Sequence, residues 1–82
     1  MNRCFLLGQL EDDVKFSFTL KKNPISIARF YIKLLNNSSV KIYCFNENAD
    51  FCYRRLRRGD CIFLQGQINS QGAIIVHHIY RV

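Results

Sequence analysis

The sequence predicts a small all-β domain that carries a single helix. Three observations lead there. Most stretches of regular pattern alternate with period two, the mark of strands with one buried face. Clusters of Gly, Pro, Asn, Asp and Ser separate those stretches at short intervals. Only one segment, with Ala49, Cys52, Tyr53 and Leu56 at spacings of three and four, carries a helical stripe.

Residues 2–10, NRCFLLGQL, read as an apolar strand with Gly8 as a bend, and Glu11, Asp12 and Asp13 end it in an acidic turn. In residues 15–20, Phe16, Phe18 and Leu20 lie on one side and Lys15, Ser17 and Thr19 on the other. The pattern alone leaves open whether Phe16 and Phe18 belong to a surface platform or to the core. Lys21, Lys22, Asn23 and Pro24 form a basic turn. Residues 25–35 follow as a strand with Ala28, Phe30 and Ile32 on one face and Ile27, Arg29, Tyr31 and Lys33 on the other. After the turn at residues 36–39, residues 40–45 put Val40, Ile42 and Cys44 inward and Lys41, Tyr43 and Phe45 outward.

Asn46 is the expected helix N-cap, with Glu47 and Asp50 suiting the positive end of the helix dipole. Arg54, Arg55, Arg57 and Arg58 suit its negative end, and Gly59 is expected to terminate it as a C′ residue. In the next strand, CIFLQGQI, Ile62, Leu64, Gly66 and Ile68 are expected to face one way, and Gly66 signals a bend or a close backbone approach. A turn at residues 69–72 leads to the last strand, residues 73–81. With a break after the first strand, the order is three strands, one helix, two strands. That is the order of an OB-fold, a five-stranded Greek-key barrel with the helix between strands 3 and 4 plugging one end.

Eighty-two residues make one domain near the lower limit for a self-sufficient core, so dimerisation is expected on size alone. No linker, repeat or acidic tail is read within residues 1–82. Twelve basic against six acidic residues give +6, a footprint suited to nucleic acid or another anionic surface. The four cysteines fall in strand and helix patterns, which favours reduced thiols over a disulfide framework. No metal site is expected: there is no C-x-x-C pair, and His77 and His78 should point to opposite faces of a strand. No cofactor is implied, nor any membrane span. Enzymatic readings fail as well. No nucleophile is paired with a histidine at a recognisable spacing, no glycine loop cradles phosphate, and the acids Asp12 and Asp13 have no partner group.

Several motifs together resemble the bacterial-type single-stranded DNA-binding protein (SSB) family. Asn2-Arg3 followed by Leu6-Leu7-Gly8-Gln9-Leu10 resembles its first strand, and Ala28-Arg29-Phe30-Tyr31-Ile32 its second. Phe45, Ala49, Leu56-Arg57-Arg58-Gly59 and Leu64-Gln65-Gly66-Gln67-Ile68 can be laid on the family without a gap. The short loops, the absence of tryptophan and the end at Val82 depart from its usual pattern. They are similar to the reduced, single-domain relatives of the primosomal replication protein N kind and to the short cyanobacterial and plastid members. The resemblance implies a non-catalytic protein that binds single-stranded DNA, with RNA left open, in replication or primosome-type metabolism. It also implies a homodimer or tetramer in the bacterial cytoplasm or the plastid stroma.

Phe45 aligns with a family aromatic that stacks on bases. Tyr43 and Tyr31 extend that platform, while Arg29, Lys33 and Lys41 are placed to meet phosphates. Lys15, Arg3, Lys21 and Lys22 form a second rank. The plain alternative for Tyr31 and Tyr43 is a cross-strand pair that covers the sheet. The helix arginines are expected away from the hairpin face, where the helix dipole accounts for them, with a role along a wrapped strand as the lesser reading. Cys4, Phe5, Leu6 and Leu7 are expected to pair across a two-fold axis, since they form an apolar edge. The competing function is an OB-fold protein–protein interaction module with little affinity for nucleic acid.

Overall fold

Two halves of one interrupted strand organise the chain. The structure, a computed structural model, describes residues 2–82. β1 (Cys4–Leu10) pairs antiparallel with β5 (Cys61–Ile68) along most of its length. At its end it turns to β3 (Ile25–Lys33), through Gln9 opposite Lys33 and Leu10 opposite Ile32. β2 (Lys15–Thr19) takes over the same edge of β3 from Arg29 to Ile25. The chain leaves that edge only briefly at the acidic residues, where the Glu11 N–H still donates to the Tyr31 carbonyl at 3.0 Å.

β3 pairs antiparallel with β4 (Ser39–Phe45). β4 pairs in parallel with β6 (Ile74–Arg81), and β6 returns antiparallel to β5. The ring β1–β5–β6–β4–β3 closes through β1 and β3. This is the five-stranded OB barrel, with β1 and β2 together as its broken first strand. Counted separately there are six strands, so the helix α1 (Glu47–Arg55) lies between β4 and β5.

Closure needs glycine at two close approaches. A Cβ on Gly8 would come within 2.9 Å of the Lys33 carbonyl oxygen, where β1 crosses from β5 to β3. A Cβ on Gly66 would lie 2.3 Å from the Ile75 oxygen. The backbone approach expected at Gly66 is therefore real, and the sheet is irregular between Gln65 and Gly66.

The inward residues fill the barrel: Ala28, Phe30, Ile32, Ile42, Cys44, Ile62, Leu64, Val76 and Ile79 are buried. α1 covers one end with Ala49 and Cys52, and Leu56 just beyond it completes the plug. Burying an aliphatic side chain of this size stabilises by about 1.5–3 kcal/mol before the entropy of ordering it is set against that. No charged or polar residue is buried among the described residues, and no helix among them is long and apolar enough to cross a membrane.

Several local expectations are corrected. Asn46 precedes the helix at φ 54° and ψ −117°, a positive-φ conformation outside the left-handed helical region, and its side chain makes no capping bond. Its N–H instead donates to the Ser26 carbonyl at 2.9 Å, which ties the helix start to β3. The helix stops at Arg55, because Leu56 adopts an extended backbone (φ −93°, ψ 139°) with its side chain buried. Arg57 and Arg58 therefore lie beyond the helix. Gly59, at φ 93°, serves the turn that follows rather than a helix C′ position. There the Arg57 N–H donates to the Asp60 carboxylate at 2.8 Å and the Asp60 N–H to the Arg57 carbonyl at 3.0 Å. Ile68 is exposed at the strand's end, although its N–H donates to the Asn2 side chain at 3.3 Å.

The irregularity opposite Gly66 corrects another reading. Gln65 pairs with His78 while Gly66 pairs with Val76, so His77 is the extra residue of a bulge. Both histidines are consequently exposed, between buried Val76 and Ile79, instead of pointing to opposite faces.

Candidate nucleic-acid interface

Strand register gathers most of the candidate residues into rows on the outer face of β2, β3 and β4. Lys15, Arg29 and Tyr43 form one row. Ser17, Ile27 and Phe45 form the next, towards the helix. Tyr31 faces Lys41, and Lys33 faces Ser39, in the opposite direction along the sheet. Strand alternation dictates this grouping, because Ala28, Phe30, Ile42 and Cys44 must face the core and their neighbours must face out.

The face is shaped as well as charged. A depression of about 250 Å³ is lined by Asp12, Lys15, Arg29, Phe30, Tyr31 and Lys41. A second, of about 380 Å³, lies on the other side of Tyr31 and Lys41 and reaches Tyr43, Gln71, Gly72 and Ala73. Together they form a groove from the β1–β2 break to the β5–β6 turn. Gln71 and Gly72 were not candidates from sequence. Their signal is positional only: β6 pairs in parallel with β4 at Tyr43 and Ile75, which brings the turn before it to the hairpin.

Tyr31 and Phe45 expose about two-fifths of their surface, enough for one ring face to meet a base. The Lys41 ammonium lies 5.2 Å from the centre of the Tyr43 ring, within cation–π range. The Tyr43 side chain is the main cause that raises the Lys41 pKa above that of ordinary lysine, with Tyr31 adding to it. Among the described residues the one ion pair within the chain joins Arg54 to Asp50 at 3.1 Å. No cation of the hairpin face is therefore ion-paired among the described residues.

The remaining candidates lie apart. Lys33 lines a neighbouring depression with Gln9, Glu11 and Arg58. Lys21 and Lys22 are exposed in the β2–β3 turn. Arg3 precedes β1 beside the Gly66 end of β5, at the end of the barrel that carries the β5–β6 turn. Phe16 is half-buried and stacks on Tyr53, with centroids 4.7 Å apart, and so belongs to the barrel end; Phe18 is exposed. Cys4 and Leu6 pack against the core while Phe5 and Leu7 face out. Among the described residues no cluster of His, Cys, Asp and Glu could hold a metal ion.

No protein-family model and no curated protein matches this chain. Solved structures do. The SSB domain of a Synechococcus sp. protein gives a TM-score of 0.86 at 15% identity, over 98% of this chain and 94% of that one. Rim1, a mitochondrial single-stranded DNA binding protein of S. cerevisiae, gives 0.83 at 13% identity, over 98% and 92%. The single-stranded DNA binding protein of Thermus aquaticus gives 0.80 at 18% identity, and this chain covers 40% of it. At these identities what is shared is the fold: the chain has the OB barrel of those SSB proteins.

Proposed function

We propose that the chain binds single-stranded nucleic acid, DNA in the first place, with little sequence preference and without catalysis. One observation carries the reading. The outer face of β2–β4 interleaves Tyr31, Tyr43 and Phe45 with Lys15, Arg29 and Lys41, none of them ion-paired among the described residues. Every base has a π-face and every nucleotide a phosphate, so such a face holds a strand whatever its sequence. The shared fold with proteins described as single-stranded DNA binding supports the same reading. The biological setting proposed is replication or primosome-type DNA metabolism, which is what the sequence resemblance implies.

The reading includes a homodimer built on β1. The edge of Cys4, Phe5, Leu6, Leu7 and Gly8 that faces away from β5 has no partner strand among the described residues. Phe5 beside it stacks on Phe63 at 6.3 Å, and Leu7 stands in a row with Phe63 and Tyr80. An exposed apolar edge of this kind pairs readily with its own copy. The same apolar face is what favours the second reading, a protein-interaction module.

Fluorescence-polarisation titrations with oligo-dT and oligo-U of graded length, at two salt concentrations, test the proposal. Tight, salt-dependent binding that grows with length is expected. Absence of binding at low salt would leave the interaction module as the better account.

A further inference from the structure

We infer that the depression beyond the C-terminal turn of α1 is a second nucleotide subsite, which continues the strand held on the hairpin face. The inference rests on the nucleic-acid reading above. This depression encloses about 510 Å³ and is lined by Asp13, Val14, Tyr53, Arg54, Leu56 and Arg57.

Its chemistry matches one nucleotide. Phe16 backs the Tyr53 ring at 4.7 Å, holding it from one side, while 55% of the residue's surface stays exposed. That is a supported aromatic surface at the edge of an open depression, the form a stacking platform takes. Arg54 is tied to Asp50. Arg57 gives one guanidinium donor to the Leu56 carbonyl at 3.0 Å, which fixes its position and leaves its other donors for a phosphate. The Asp13 carboxylate repels phosphate, so the phosphate lies on the Arg57 side and the base on the side of Tyr53 and Asp13.

Continuity joins this subsite to the first. Asp12 lines the hairpin-side depression and Asp13, the next residue, lines this one. Consecutive Cα atoms are about 3.8 Å apart, so the two depressions have neighbouring lining residues at the β1–β2 break. The interruption of the first strand thus sets the outer sheet face next to the plugged end of the barrel, and a bound strand crosses there with its phosphates turned from Asp12 and Asp13.

Oligo-dT from about 4 to about 16 nucleotides, the range of sites on single OB barrels, tests this on two variants. Tyr53→Leu keeps an apolar contact with Phe16 but removes the π-face. Arg57→Ala removes the phosphate contact. Both should bind the shortest oligonucleotides as the unaltered protein does. On the longest, Tyr53→Leu should lose about tenfold in affinity, the order of one base–aromatic stack. Arg57→Ala should flatten the slope of log K against log salt by about 0.7, and only on the long oligonucleotides. Should Tyr53→Leu lower the melting temperature, the Arg57→Ala result decides. If both variants match the unaltered protein at every length while Phe45→Ala loses binding, the subsite is refuted and the hairpin site stands. Equal weakening at every length, with melting unchanged, also overturns it. If the unaltered protein binds no oligonucleotide, the nucleic-acid reading itself has failed.

Discussion

Lys41 holds its ammonium 5.2 Å from the centre of the Tyr43 ring, two residues along one strand face. Tyr43 has Arg29 opposite it, and Lys41 has Tyr31. Cation and ring thus alternate both along and across the hairpin. Because neighbouring phenols favour its charged form, Lys41 keeps its proton past the ordinary lysine range, and the contact weakens only as pH rises through that raised pKa. The part of oligonucleotide affinity that depends on Lys41 should therefore be flat from about pH 6 to about pH 9, well below the lysine range. Polarisation titrations across that window, comparing the unaltered protein with Lys41→Ala, would show it. A Lys41-dependent loss before pH 9 would contradict the assignment.

Stacking and charge on this face separate by mutation. Phe45→Ala should weaken oligo-dT binding by about 1–3 kcal/mol and leave the salt dependence as it was, because a ring is lost and no phosphate contact. Lys41→Ala should flatten the salt slope by about 0.7. If neither substitution changes binding in a folded protein, the hairpin is not the site.

Assembly gives a third prediction. Light scattering at micromolar concentration should return twice the 9.7 kDa chain mass, and Phe5→Asp should return the monomer by placing a charge beside the free edge of β1. A monomeric unaltered protein would rule out the β1 dimer.

The cysteines offer a test of the core. Cys44 and Cys52 are fully buried with sulfurs 3.3 Å apart, whereas Cys61 is exposed and Cys4 half-buried. The hydrogen bond with Cys52, followed by burial, pushes the Cys44 thiol far above its ordinary pKa, which suppresses the reactive thiolate. Native thiol labelling should modify Cys61 first and leave Cys44 and Cys52 slow, with all four reactive after denaturation. Rapid native labelling of Cys44 would mean that the barrel end is not closed as described.

Two glycines should respond differently to alanine. Gly66→Ala drives a Cβ against the Ile75 backbone, and overpacking of that kind costs about 1–3 kcal/mol or more. Gly59→Ala meets nothing within 4 Å and should cost about 1 kcal/mol, through its φ of 93° alone. Denaturant melts of the two variants would rank them, and the reverse order would show that the β5–β6 contact is looser than described.

Much of this was legible because strand alternation is a local signal. Val40, Ile42 and Cys44 against Lys41, Tyr43 and Phe45 state both faces of β4 in six residues, and β3 repeats the pattern. The grouping of the hairpin candidates on one outer face followed, since register adds only the pairing. What escaped was set by contacts distant in sequence. His77 and His78 look like ordinary alternation until pairing with β5 leaves His77 in a bulge. Leu56 continues the helical stripe, yet its extended backbone ends the helix and carries two arginines out of it. Phe16 could be assigned only once Tyr53, thirty-seven positions later, lay against it.

The C-terminal strand has a temporal consequence. β6 is the only stave that touches both β4 and β5, so neither of those has its second neighbour until residues 74–81 have left the ribosome. The hairpin of β3 and β4 emerges complete far earlier, with its inner face of Phe30, Ile32 and Ile42 uncovered. Until β6 emerges the apolar inner face of the hairpin lacks its native cover, and that interval is when such a chain is most exposed to aggregation.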